Sequence, residues 1–349
     1  MAAQTEQRAD GEHPSGDRSG DSAALRDMVD RYLAAVVARD PRRLPLAERV
    51  KFTAMGQQLE LGEGFWHTAS DVGRYRHYFP DPCAGEIGFL GTMREFGAPV
   101  LMGLRLRVRE GRISEIETVF YRRGSGPAWN DAGMERLDAT AAVDPVWLAP
   151  IPPAERLSRR QLAAVANLYF VGLENNDGKG LDGRGFYPFT PDCLRLENGV
   201  QTSSNPTLIP NVPPAAFNYF ALDCAAQFRS GYLALVTRIH HRRFMAVDPE
   251  LGTVFTLVVF DQAGTPSVRL TSGESVASSL FTRPSSILLA EAFRIEKGLI
   301  RRIEAIGAGV PYHMSPGWEA SAVRPPRGAI QALALIPERR QRLEPPAAD

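Results

Sequence analysis

Two stretches of the chain carry side chains that could move protons. In EAFRIEKGLIRRIEAIGA (291–308), strand alternation puts Glu291 on one face with Leu289, Phe293 and Ile295. A carboxyl among large apolar neighbours is desolvated, so its pKa rises toward the range useful for general acid or base work. The structural alternative is an ion pair with an arginine such as Arg243. In TRIHHRRF (237–244), alternation puts His241 and Arg243 on the face of Leu233, Leu235, Thr237 and Ile239, which reads as inward. A histidine beside an acid suits proton relay, and an inward arginine suits an enolate or carboxylate. The alternative for both is a solvated basic strand end. His240 and His241 are adjacent and point to opposite faces, a poor metal pair, so no metal is expected. Glu197, in CLRLENGVQ (193–201), can face the mouth of the same site, beside an Asn198-Gly199 turn signal. Tyr187, in the loop GLDGRGFYPF (180–189), offers a hydroxyl to a developing oxyanion.

These residues need a scaffold, and the sequence writes it twice. LRLRVREGRISEIETVFY (104–121) repeats the apolar strand, the glycine turn and the I-x-x-I-E ending of 291–308. Aligning Gly111 with Gly298 sets Leu104 opposite Glu291, which implies a plugged first site and a second that kept a polar task. Apolar residues at helical spacing predict a helix over 23–40, capped by Asp21 or Ser22 and ended before Pro41. The stretch RLSRRQLAAVANLYFVGLENND (156–177) predicts its counterpart, with Ser158 as N-cap. TASDVGRYRHYF (68–79) reads as a second, shorter helix, and 85–123 as three strands.

The expected organisation is a disordered tail over 1–22, a first domain over 23–123 and a linker over 124–154 that buries Trp129 and Trp147. A second domain follows over 155–318, with an insertion at 265–286, then an extension over 319–349. The fold class expected is α+β: two tandem cone-shaped domains, each a curved antiparallel sheet with helices on its concave face. Such a cone holds an apolar pocket at its mouth.

The stretches RYLAAVVARDPRRLPLAERVKFTAMGQQLELGEGFWHTA and YRHYFPDP resemble the opening of nuclear transport factor 2-like (SnoaL-like) domains. CLRLENG, RRFMAVDPELGTVF, EAFRIEKGLIRRIEA and VPYHMSPGW resemble a two-domain branch of the same superfamily. The resemblance covers residues 23–123 and 155–318. Its members include ketosteroid isomerase, scytalone dehydratase, limonene epoxide hydrolase and polyketide cyclases, besides pure binding and transport proteins. It therefore implies acid/base chemistry without a cofactor, where there is chemistry, and pairing through the sheets. The chain departs from the branch pattern twice. FTAMG lacks an acidic side chain, which argues against activity in the first domain, and His313 stands where glycine is expected, adding a polar group near the second pocket.

Composition narrows the partners. The chain has 349 residues, formal net charge +0 and 44% hydrophobic residues, so nothing draws it to nucleic acid or an anionic membrane. Its three cysteines form neither a disulfide framework nor a zinc motif. With no signal-type apolar segment and no membrane-length run, a cytoplasmic protein is expected. The reading that follows is a cofactor-independent lyase, dehydratase, isomerase or cyclase of aromatic catabolism or natural-product metabolism. It would act on a small hydrophobic oxygenated molecule in the second domain. Glu291 and His241 would be catalytic, and Arg243, Tyr187, Glu197 and His313 would bind substrate. The chain would be a pseudo-dimer, with homo-oligomers allowed. The alternative is a non-catalytic small-molecule-binding or scaffold protein.

Overall fold

The computed structural model describes residues 19–126, 128–208, 217–278, 281–319, 321–326 and 328–336. The first half runs α1 (Ser19–Val37), β1 (Leu46–Ala54), β2 (Gln57–Gln58), α2 (Phe65–Thr68), β3 (Ala69–Asp81), β4 (Glu86–Glu95), β5 (Ala98–Arg109) and β6 (Arg112–Arg122). Then come α3 (Ala128–Thr140) and α4 (Arg159–Glu174), and β7 (Phe189–Glu197), β8 (Val200–Gln201), α5 (Cys224–Arg229), β9 (Arg238–Asp248) and β10 (Thr253–Gln262). The chain continues through β11 (Ser267–Arg269), β12 (Ser275–Ala277), β13 (Ser285–Glu296), β14 (Leu299–Val310) and α6 (Ala329–Leu333).

Two six-stranded sheets result, ordered β2-β1-β6-β5-β4-β3 and β8-β7-β14-β13-β10-β9. The two orders match position for position, as a duplicated sequence requires. Each sheet is antiparallel except for one parallel pair, β1 with β6 and β7 with β14. The fold class is the α+β pair of curved sheets expected from the sequence. Leu104 pairs with Thr118 and Glu291 with Ala305, so the two positions are equivalent in register as well as in sequence.

Each sheet has a helix across one face. α1 buries Val29, Tyr32, Leu33 and Val36 against a cluster that includes Phe89, Met102 and Leu104. Full burial of such side chains stabilises by about 1.5–3 kcal/mol each. α4 starts on a capping box: the Ser158 hydroxyl accepts the Gln161 N–H, and the Gln161 side chain accepts the Ser158 N–H. Its apolar face packs on Phe244, Val258, Phe293 and Ile303 of the second sheet, and α6 lies against its other side.

A third apolar cluster joins the two sheets through their opposite faces, with Tyr75, Phe79, Leu90 and Val119 meeting Phe255, Leu257, Leu288 and Ala290. The approach is close enough to need glycine. A Cβ on Gly88 would stand 2.2 Å from the Phe255 ring. The glutamate that ends each I-x-x-I-E repeat spans this seam. Glu117 of β6 accepts from both terminal guanidinium nitrogens of Arg243 on β9, at 2.7 and 2.6 Å. Glu304 of β14 takes the Tyr75 hydroxyl and His77 Nδ1 of β3, each at 2.9 Å. β3 and β9 hold the same outer position in their sheets, so the two latches are reciprocal. The chain is thus a pseudo-dimer built on its own sheets.

Several expectations need correction. Residues 69–81 form strand β3, not a helix; the buried Tyr75, His77 and Phe79 alternate along it. The 124–154 segment contains helix α3. Trp147 is buried, whereas the Trp129 side chain lies outside the described residues. Residues 232–235 are a 3-10 turn that precedes β9. α1 begins at Ser19, ahead of both expected caps, and most of the expected tail lies outside the described residues. The 265–286 insertion carries the small β11–β12 hairpin, and residues 279 and 280 within it lie outside the described residues.

Candidate functional site

The second half holds a cavity of about 330 Å³ walled mostly by apolar side chains, including Leu173, Val236, Phe260 and Leu289. Tyr169 of α4, Arg195 and Glu197 of β7, Asn198 of the β7–β8 turn and Tyr219 form one polar patch on its wall; Gln262 and Ser286 line it elsewhere, and Tyr121 and Asn130 reach it from β6 and α3. Strand alternation places Arg195 and Glu197 side by side facing the cavity. Arg195 is buried. Its Nη2 donates to the Tyr219 hydroxyl at 3.0 Å and to Gln227 Oε1 at 2.7 Å, and its Nε lies 3.3 Å from Glu197 Oε1. Glu197 is held by that ion pair while its side chain stays 36% exposed. Asn198 and Gly199 both have positive φ, as a tight hairpin turn demands. The Asn198 side chain locks the turn to β14, donating to Gly307 O and accepting from Gly307 N, both at 3.0 Å.

Glu291 lies one layer behind this wall. It is 1% exposed and flanked on its strand by Leu289 and Phe293, which pack under α4. Burial, then the neighbouring Glu197 carboxylate, pushes its pKa up to about 8, against the opposing pull of Arg195 and a hydrogen bond with Tyr169. Its carboxyl therefore keeps its proton at neutral pH. Oε2 has no hydrogen-bond partner among the described residues. The ion pair with Arg243 that offered a structural explanation for Glu291 is not formed, because Arg243 is spent on Glu117. Tyr169 links the two layers, since it touches Glu291 and also lines the cavity.

The other expected site residues are distributed differently. His241 has φ +50°, and at that point β9 gains one residue over β10, pairing His240 with Val259 but Arg243 with Leu257. This bulge flips the alternation downstream. Arg243 consequently points out of the second cone into the seam between the sheets, which corrects its placement as an inward substrate-binding group. His241 lines a separate, more polar cleft with Glu174, Arg242 and Glu319, so the structure does not bring it to Glu291. Burial, then the nearby His240 and Arg243, holds the His241 pKa below the ordinary histidine value. Tyr187 is buried in the core against Phe228, with ring centroids 5.3 Å apart, and not on the cavity wall. His313 meets Asp261, its Nδ1 2.7 Å from Oδ2. Of the expected set, Glu197 alone lines the cavity. Tyr169, Arg195 and Tyr219 were missed. The one available signal was Arg195, two positions before Glu197 on a strand already read as facing the mouth.

The architecture is an α+β pair of matched sheets joined back to back, with a walled cavity mostly in the second half. Residues 155–307 of this chain match the family model described as a domain of unknown function, DUF8021. No curated protein matches. Among solved structures, the chain is similar to an NTF2-like protein of unknown function from Cytophaga hutchinsonii, at 14% identity and TM-score 0.24, covering 28% of this chain and 89% of that one. It is also similar to AclR from Streptomyces galilaeus, at 14% identity and TM-score 0.27, covering 46% of this chain and 83% of that one. Likeness of this degree carries nothing about activity. No helix among the described residues is long and apolar enough to cross a membrane.

Proposed function

We propose that the second-half cavity performs acid/base chemistry on a small, largely apolar, oxygenated molecule, as a lyase, dehydratase, isomerase or cyclase of aromatic or natural-product metabolism in the cytoplasm. The observation that carries this reading is the carboxyl of Glu291, kept protonated behind a cavity wall that also holds a second carboxyl, Glu197. Two acids in contrasting environments are the usual raw material for moving a proton at neutral pH. In this reading Glu197 faces the ligand and exchanges a proton with it. Arg195 fixes Glu197, and the Tyr219 hydroxyl it grips is placed to accept or donate at a ligand oxygen. Glu291 supplies the proton through Tyr169. The chain's own side chains carry the reaction. The domains proposed are 23–123 and 155–318, with the first, filled by Leu104, inactive.

The second reading is a binder without turnover. It is favoured by the position of Glu291 behind the wall and by the absence of His241 and Arg243 from the cavity. One experiment separates them. A thermal-shift screen of small oxygenated aromatics and terpenoids finds ligands, and each hit is then incubated with wild type, Glu197→Gln and Glu291→Gln while products are followed by mass spectrometry. Turnover that is lost in both variants while binding persists supports the enzyme. Ligands that bind but never change support the binder. Turnover untouched by both substitutions sinks the assignment of these carboxyls.

A further inference from the structure

Away from the carboxyl pair, three ligating side chains converge from distant parts of the second half. His240 comes from β9, Asp261 from the end of β10, and His313 from just beyond β14. His240 Nε2 lies 3.0 Å from Asp261 Oδ1, and His313 Nδ1 lies 2.7 Å from Oδ2. One ligating atom of each residue lies within 4.8 Å of the other two. Asp261 is wholly buried, His240 is half-buried and His313 is exposed, so the cluster runs from the interior to an open entry. Ser286 braces it, donating to Asp261 Oδ1 at 2.5 Å and accepting the His313 N–H at 2.8 Å.

Two features set the cluster apart from an ordinary ion pair. The first is backbone conformation. His313 sits at φ +61°, where glycine is the comfortable residue. A non-glycine residue there is strained and persists where its surroundings over-determine it. The second is crowding. The His240 and His313 rings stand 4.8 Å apart, and the His241 ring is 4.9 Å from His240. Two imidazoles thus aim one nitrogen each at a single carboxylate. Two imidazoles and one carboxylate form a donor set suited to late first-row dications and poor for magnesium or calcium, which prefer all-oxygen shells.

We infer that His240, Asp261 and His313 form a binding site for one late first-row divalent metal ion, such as Zn²⁺. The inference departs from the expectation of no metal, which weighed only the adjacent pair His240–His241. The partner of His240 is His313, brought across by the fold. Zinc holds nitrogen at about 2.0–2.1 Å and carboxylate oxygen at about 2.0–2.2 Å, which sets tetrahedral ligand atoms roughly 3.3–3.5 Å apart. The two imidazole–carboxylate separations, 3.0 and 2.7 Å, are hydrogen-bond lengths, so loading the ion opens each by several tenths of an ångström and releases the imidazole protons that bridge them. His313, being exposed, is the ligand that can move. Ser286 also lines the cavity, so the metal site and the cavity share one residue of wall.

The test uses the full chain, freed of any affinity tag, titrated with Zn²⁺ by calorimetry in a non-chelating buffer, with metal content after dialysis read by mass spectrometry. The expected result is one ion per chain, with proton release, and no comparable binding of Mg²⁺. His313→Gly removes a ligand while relaxing the positive φ, so the fold is kept. It should weaken Zn²⁺ binding more than about 100-fold, beyond the roughly 10–100-fold lost when only a ligand's hydrogen-bond partner is removed. His240→Asn should do the same, and provides the measurement should the glycine variant fold poorly. His241→Asn should leave binding unchanged. No saturable binding, Mg²⁺ binding as tight as Zn²⁺, retained affinity in the His313 and His240 variants, or an equal loss in the His241 variant each overturns the inference.

Discussion

Replacing Glu291 by glutamine removes one proton-binding site from the interior and little else, since glutamine matches glutamate in volume and can still hydrogen-bond Tyr169. Burial raises the Glu291 pKa from its ordinary 4.5 to about 8 in the folded chain. Below pH 4.5 the carboxyl is protonated in both folded and unfolded chains and contributes no pH dependence. Between 4.5 and about 8 the folded chain retains a proton that the unfolded chain has lost, so stability falls as pH rises. Above about 8 both states are ionised and the slope vanishes. At about 1.36 kcal/mol per pH unit, the interval amounts to ~5 kcal/mol. The measurement is urea unfolding of wild type and Glu291→Gln at pH values from about 4.5 to 9, with stability taken by linear extrapolation. Other titrating groups contribute equally to both chains and cancel in the difference. Glutamine should gain several kcal/mol on wild type across that window. Parallel curves would show that Glu291 ionises normally, and the reading of the cavity would fall with it.

Three further outcomes follow from the seam and the helices. Arg243→Met takes the bidentate partner from the buried Glu117 and leaves it only Arg105 Nη1, 3.9 Å away; it should cost about 3 kcal/mol, the low end for a broken buried pair, and the double variant Glu117→Leu/Arg243→Met should recover most of it, as denaturant midpoints of the three chains decide. Gly88→Ala places a methyl 2.2 Å from the Phe255 ring, so calorimetry should show a loss of about 1–3 kcal/mol. Ser158→Ala opens the capping box of α4 and should cost about 1 kcal/mol by the same measurement.

Much of the architecture was legible because it was written twice. The I-x-x-I-E hairpins gave the β5–β6 and β13–β14 pairs, and the Gly111–Gly298 alignment gave the equivalence of Leu104 and Glu291 that the register shows. The α4 start was legible from Ser158 and the apolar spacing after it. Bulges defeated the rest. β3 slips between Val72 and Arg76, and apolar residues at 72, 75 and 79 then mimic a helical period. β9 slips at His241, so simple alternation sends Arg243 to the wrong face. Contacts between distant segments were beyond any local pattern. Nothing near Glu117 names Arg243, and nothing near His240 names His313. Glu197 could be placed at the cavity because it needed only its own strand and turn.

The reciprocal glutamates also bear on how the polypeptide can be divided. Each half keeps one end of each latch. A half expressed alone would present the Phe79 or Phe255 face to water and leave Glu117 or Glu304 without its partner across the seam. The halves are therefore mutual templates, each covering the apolar face that the other would expose. The same complementarity does not ask that both halves come from one molecule. Two chains that opened at the segment around α3 and exchanged second halves would satisfy every latch equally well.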